Sequence, residues 1–149
     1  VLKNKSNKGF TVVELLTVMG IVGVLMAVAL PGILSWIPEQ RLKGAARELH
    51  DNLQFARIYA IKAGQDCYLD FNEPATGQYT LSLNAKVLKT ADLSKHSNTL
   101  RFDSPPERII FQSNGISRAN TTAVVRVTNN IKAYLATVYA SGAVKLEKQ

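Results

Sequence analysis

The chain has 149 residues, a formal net charge of +7 from 18 Lys+Arg against 11 Asp+Glu, and one cysteine, Cys67. A single cysteine excludes an intramolecular disulfide framework, and the length leaves room for one modest domain beside an apolar head segment. Three lysines (Lys3, Lys5, Lys8) precede Phe10 with no acid among them, so the basic balance is partly a property of the head.

The first element is "NKGFTVVELLTVMGIVGVLMAVALPGILSW", Asn7 to Trp36. Leu15 to Ile37 is 23 residues without a charge, which as a helix is ~35 Å, enough to cross a hydrocarbon core of ~30 Å. A cleaved signal peptide has a shorter apolar run, about 7–15 residues, followed by a small-residue site; "ILSW" supplies none. A core helix of this length needs a protein wrapped around it, and the remaining chain is too small. The segment is read as a membrane anchor. Its flanking charges tie, with Lys3, Lys5 and Lys8 before it and Arg41, Lys43 and Arg47 after it, so they set no orientation.

Glu14 stands within one turn of the start of this segment. A carboxylate in the bilayer interior costs roughly 2.5–3.5 kcal/mol on insertion scales. The helix N-terminus offsets part of that cost. Either the side chain reaches the headgroups or a cation awaits it. A cut between Gly9 and Phe10 would create such a cation, an α-amino group one turn from Glu14. Pro31 cannot donate to the Ala27 carbonyl and would kink or loosen the helix, with Pro38 a second weak point.

Glu39 to Ala63 changes to a half-apolar helix. Leu42, Ala45, Ala46, Leu49, Leu53, Ala56, Ala60 and Ile61 recur at three- and four-residue steps, and Gly64 supplies a stop. Joined to the head it gives one helix over Phe10–Ala63, with the apolar stripe packed on an antiparallel sheet. His50 and His96 are too few to form a metal or catalytic cluster.

After Gly64 the chain reads as short strands separated by turns. "DCYLDF" and "QYTLSL" flank "NEPATG" as a hairpin. Asn84–Asn98 is polar and reads as a surface loop or weak strand. "TLRF", "RIIFQ", "TTAVVRVT", "AYLATVY" and "AVKLEK" complete about seven strands, with turns at "SNG", Asn129-Asn130 and Ser141-Gly142. The class is α+β: one long helix on an antiparallel sheet or sandwich.

"KGFTVVELLTVMGIVGVLMAVALPG" resembles the N-terminus of type IV pilins and type II secretion pseudopilins. The later segments "LHDNLQFARIYAIKAGQDCYLDF", "RIIFQSNGIS" and "YLATVYASGAVKL" resemble the GspH/FimT-type minor pilin domain. The resemblance implies a leader, residues 1–9, cut by prepilin peptidase between Gly9 and Phe10, with N-methylation of Phe10. It implies a transmembrane and assembly helix over 10–37, in which Glu14 docks subunits and Pro31 interrupts the helix, and a periplasmic globular domain over 38–149. The implied partners are other pilin or pseudopilin subunits, the peptidase, an inner-membrane assembly platform and the membrane, crossed once. The implied location is the bacterial inner membrane and then the filament, at its tip or initiation complex. No metal and no cofactor are implied.

Two other classes compete. Gln40–Gln149 carries 15 basic against nine acidic residues, net +6, and Arg118, Arg126, Lys132, Lys145 and Lys148 are candidate phosphate contacts for a subunit that binds DNA during uptake. They are scattered rather than clustered. An anchored enzyme lacks its parts: there is no glycine-rich phosphate loop, no metal-ligand spacing and no nucleophile elbow. Cys67, in an alternating strand, reads as a small buried hydrophobe.

Overall fold

The computed structural model describes residues 9–118, 123–129 and 131–149. Residues 1–8 of the expected leader, Thr121 and Thr122 of the "TTAVVRVT" segment, and Asn130 of its turn lie outside the described residues. The chain divides into two compact units, Val1–Ile37 and Pro38–Gln149.

Helix α1 covers Val12–Ala63, and the helical backbone continues through Pro31 and Pro38. Its C-terminus follows from sequence. Gly64 takes φ +64°, its N–H donates to the Ile61 carbonyl, and the Gln65 N–H donates to the Ala60 carbonyl, both at 3.3 Å. This pair of reversed bonds satisfies carbonyls that the helix end would leave open, and glycine enters the left-handed region without a side-chain clash.

Among the described residues eight strands follow: β1 (Cys67–Phe71), β2 (Gln78–Leu83), β3 (Lys86–Asp92), β4 (Arg101–Asp103), β5 (Arg108–Phe111), β6 (Ala123–Thr128), β7 (Ala133–Val138) and β8 (Val144–Lys148). They form two four-stranded antiparallel sheets, ordered β3-β2-β1-β5 and β4-β6-β7-β8. The expectation of about seven strands falls short at β3, which the sequence shows only as a weak strand. A short 3₁₀ turn, Leu93–Lys95, follows it and buries Leu93.

The core of the second unit combines α1 with both sheets. Leu42, Ala45, Ala46, Leu49, Leu53, Ala56 and Ala60 are buried from the helix; Leu69, Tyr79, Leu81, Ile109 and Phe111 from the first sheet; Val125, Val127, Ala136 and Val138 from the second. Ile61 departs from the expected stripe: it is half exposed, packed beside the Gly115 turn. Phe71, Tyr79 and Phe102 join the sheets, with the Phe71 and Phe102 rings edge to face at 5.4 Å. Edge-to-face contact places the positive ring edge against the negative face, adding to the apolar burial. Cys67 is fully buried in this core, and burial pushes its thiol up to about 11, which keeps it protonated and unreactive.

Candidate assembly segment and basic face

Gly9 and Phe10 precede the helix and are exposed. The Glu14 N–H donates to the Thr11 Oγ1 at 3.2 Å, and the Leu15 N–H donates to the Thr11 carbonyl at 3.1 Å. Thr11 is therefore the N-cap, and Thr11-Val12-Val13-Glu14 has the spacing of a capping box. The sequence carries this signal as a threonine three residues before a glutamate. The cap uses the backbone of Glu14. Among the described residues no side chain pairs with its carboxylate, which stays available in the first turn, where the helix dipole favours it.

Beyond Glu14 the helix presents apolar side chains all round. Leu16, Met19, Val24, Leu25, Val28 and Leu34 are all exposed, and the segment is long and apolar enough to cross a membrane. Its one hydroxyl near the start is satisfied, since Thr17 Oγ1 donates to the Val13 carbonyl at 2.8 Å. In water so much unburied apolar surface is costly, so the segment is built to be covered by lipid or by other helices.

The five candidate phosphate contacts are not brought together as a free basic face. Lys132 and Lys148 both pair with Glu39, Lys145 pairs with Glu147, and Arg126 pairs with Asp103. Arg118 is exposed, and its backbone N–H donates to the Ile110 carbonyl at 2.9 Å. A lysine already held by a carboxylate must give up that partner to neutralise a phosphate, and Arg126 commits both terminal nitrogens to Asp103 and Gln149, so four of the five are poorly placed for the task.

Glu39 is the residue that sequence reasoning missed. It follows Pro38 on α1 and receives the ammonium groups of Lys132, just before β7, and Lys148, at the end of β8. These hydrogen bonds hold its carboxyl down at about 2. The same contact raises Lys148 above the ordinary lysine range. Two cations on one carboxylate fasten the beginning of the domain's helix to the second sheet. No local motif announces this, because the partners lie about a hundred positions downstream.

The histidines take structural places. His96 Nε2 lies 2.8 Å from Glu48 Oε2, and His50 Nδ1 lies 3.3 Å from the neighbouring Asp51. Among the described residues no group of three or more His, Cys, Asp or Glu side chains is placed to hold a metal.

Residues 45–143 match the family model described as type II transport protein GspH. Residues 4–30 match the prokaryotic N-terminal methylation motif. Among solved structures, the type IV minor pilin FimU of Pseudomonas aeruginosa PAO1 is similar with a TM-score of 0.64 and 21% identity, over 75% of this chain and 92% of that one. The minor pseudopilin EpsH of the Vibrio cholerae type 2 secretion system is similar with a TM-score of 0.56 and 16% identity, over 72% and 97%. No curated protein matches. At these identities the two structures establish a shared fold, a long helix packed on antiparallel sheets. The family match covers well over half of the chain and lies C-terminal to the methylation motif, so the chain belongs to the type II transport protein GspH family, whose members are pilin-like structural subunits rather than enzymes.

Proposed function

We propose that this chain is a minor subunit that waits in the bacterial inner membrane, with its globular domain in the periplasm, and is then drawn into a type IV pilus or a type II secretion pseudopilus at the tip or initiation complex. The observation that carries the reading is the methylation motif over residues 4–30, which spans the Gly9–Phe10 junction, Glu14 and the first part of the apolar helix. Prepilin peptidase cuts between Gly9 and Phe10, and Phe10 is N-methylated. The new amine of one subunit then meets the Glu14 carboxylate of its neighbour, away from water, where a charge-assisted bond is strong. Pro31 gives the helix a place to yield as the subunit leaves the bilayer for the assembly platform and filament.

Intact mass of protein extracted from membranes tests the first step. The expected species starts at N-methylated Phe10. Recovery of only the uncut chain, in cells whose prepilin peptidase processes its other substrates, overturns it. DNA uptake as a purpose is disfavoured, because carboxylates already hold Arg126, Lys132, Lys145 and Lys148.

A further inference from the structure

Arg41, Lys43 and Arg47 follow the apolar segment on α1 and balance the three lysines ahead of it, so they cancel an orientation signal that the chain would otherwise carry. Neither the family match nor the assembly segment gives them a purpose. Arg41 and Arg47 are exposed and Lys43 is half-buried. Among the described residues none of these three side chains has a hydrogen-bond or ion-pair partner. The two acids of the same stretch, Pro38 to Leu49, are already engaged, Glu39 by Lys132 and Lys148 and Glu48 by His96 and Lys89. The stretch therefore presents three uncompensated cations.

The chain itself bounds their distance from the bilayer. At about 1.5 Å per helical residue, Arg41, Lys43 and Arg47 lie at most about 6, 9 and 15 Å beyond Ile37, the last residue of the uncharged run. The headgroup layer on each side of a bilayer is roughly 5–8 Å thick. Helical side chains lean toward the helix N-terminus, which here is back toward the lipid, and the long arginine and lysine stems add reach. Trp36, exposed just before Ile37, is of the residue type that sits at a membrane–water interface. Around the helix, Lys43, Arg47 and Arg41 spread over about 160° of the exposed side, at about 100° per residue. A docked protein would meet one side of such a helix. A headgroup layer surrounds it and meets all three cations.

We propose that Arg41, Lys43 and Arg47 form a collar that binds the phosphates of anionic phospholipids in the leaflet beside the globular domain. The collar presupposes the proposed membrane span. Arginine matches a lipid phosphate with two parallel donors, and lysine adds a point charge. No protein ion pair has to break for these three to meet lipid, in contrast to Lys132 and Lys148. The attraction reaches over one Debye length, ~8 Å at physiological salt. It holds the domain at the surface while the segment is in the bilayer and lapses once the segment is withdrawn.

The test reconstitutes the full chain in phosphatidylcholine vesicles carrying a trace of spin-labelled phosphatidylglycerol or spin-labelled phosphatidylcholine. Electron paramagnetic resonance reads how strongly the protein restricts each label. The preference for the anionic label should be at least about fourfold, and Arg41→Gln/Lys43→Gln/Arg47→Gln should lower it at least about threefold. Should that variant fail to fold, Arg41→Gln/Arg47→Gln, at two exposed positions, should lower it at least about twofold. Salt at about 1 M, where the Debye length is about 3 Å, should shrink the difference between wild type and variant. Quenching of Trp36, the one tryptophan, by brominated phosphatidylcholine reports insertion separately. Unquenched Trp36 overturns the membrane span and the collar with it. Quenched Trp36 with a preference that the folded variant leaves unchanged overturns the collar alone and leaves the three cations to an acidic protein surface. A difference undiminished at high salt overturns it as well.

Discussion

Asn52 on α1 donates its side-chain amide to the Tyr79 hydroxyl on β2 at 2.6 Å, and both residues are buried. The Asn52 side-chain Oδ1 accepts from Lys89 Nζ on β3 at 2.8 Å. A polar pair thus fixes the helix against the first sheet at one rotation and one height, which apolar burial alone does not specify. Desolvation raises the Tyr79 hydroxyl well above the ordinary tyrosine range, so it remains a neutral partner.

Tyr79→Phe keeps the ring and removes this bond, leaving a buried amide donor without its acceptor. The expected cost is about 1–2 kcal/mol, or a melting-point fall of about 4–16 °C in a domain near 100 residues. Thermal denaturation of a chain starting at Pro38 measures it, since all the described core residues fall in the second unit. An unchanged melting point would show that water replaces the bond at no cost.

How much of this was legible in the sequence depends on where each signal resides. The helix was readable because its stripe repeats locally, and the Gly64 stop was readable because only glycine is comfortable at that φ. The β1–β2 hairpin was readable from alternation around a turn. Strand β3 was not: Lys86, Val87, Lys89 and Thr90 are exposed on an edge strand, so the sequence shows polarity where a strand exists. The division into two sheets was also hidden, because pairings such as β1 with β5 join distant segments. At the candidate assembly segment, Gly9, Phe10 and Glu14 form a local pattern in the sequence, whereas the Glu39 ion pairs arise only on folding.

Glu39 predicts a specific acid sensitivity. Its folded value of about 2 lies below the ordinary 4.5, so folding favours the ionised form. The stability this contributes is fully present above pH 4.5 and is lost as pH falls through 2. Glu39→Gln removes that dependence. Denaturant midpoints of the two proteins should differ most above pH 5 and converge toward pH 2. Parallel curves across this range would mean that the lysine contacts do not persist in solution.

Gly142 should be far less replaceable than Gly77, although both have φ near +80°. A Cβ at Gly77 meets open space, whereas one at Gly142 would collide with the Gly115 carbonyl oxygen. That carbonyl also accepts from Arg57 Nε at 3.1 Å, and Arg57 reaches the Ser141 carbonyl at 3.4 Å. Gly77→Ala should cost about 1–2 kcal/mol, the penalty of the left-handed region alone. Gly142→Ala should cost at least about 2 kcal/mol more, because the two turns must separate and loosen their hold on α1. Equal midpoints for the two variants would refute the close approach.

Glu14 offers the sharpest separation between a helix cap and an assembly contact. Thr11→Ala removes the side-chain acceptor for the Glu14 N–H and should cost the helix about 1 kcal/mol. Glu14→Gln leaves that backbone bond intact and removes only the charge. Membrane insertion of the Gln variant should be unchanged or easier, because the bilayer penalty of a carboxylate, roughly 2.5–3.5 kcal/mol, is relieved. Incorporation into sheared filaments or crosslinked tip complexes, with membrane levels matched, should fall sharply. An amine left beside a neutral amide in a dry contact loses roughly 3–5 kcal/mol. Thr11→Ala should incorporate much better than Glu14→Gln, and both should still be cut after Gly9. Normal incorporation of Glu14→Gln would mean that the carboxylate only reaches for the headgroups and that no neighbour's amine requires it.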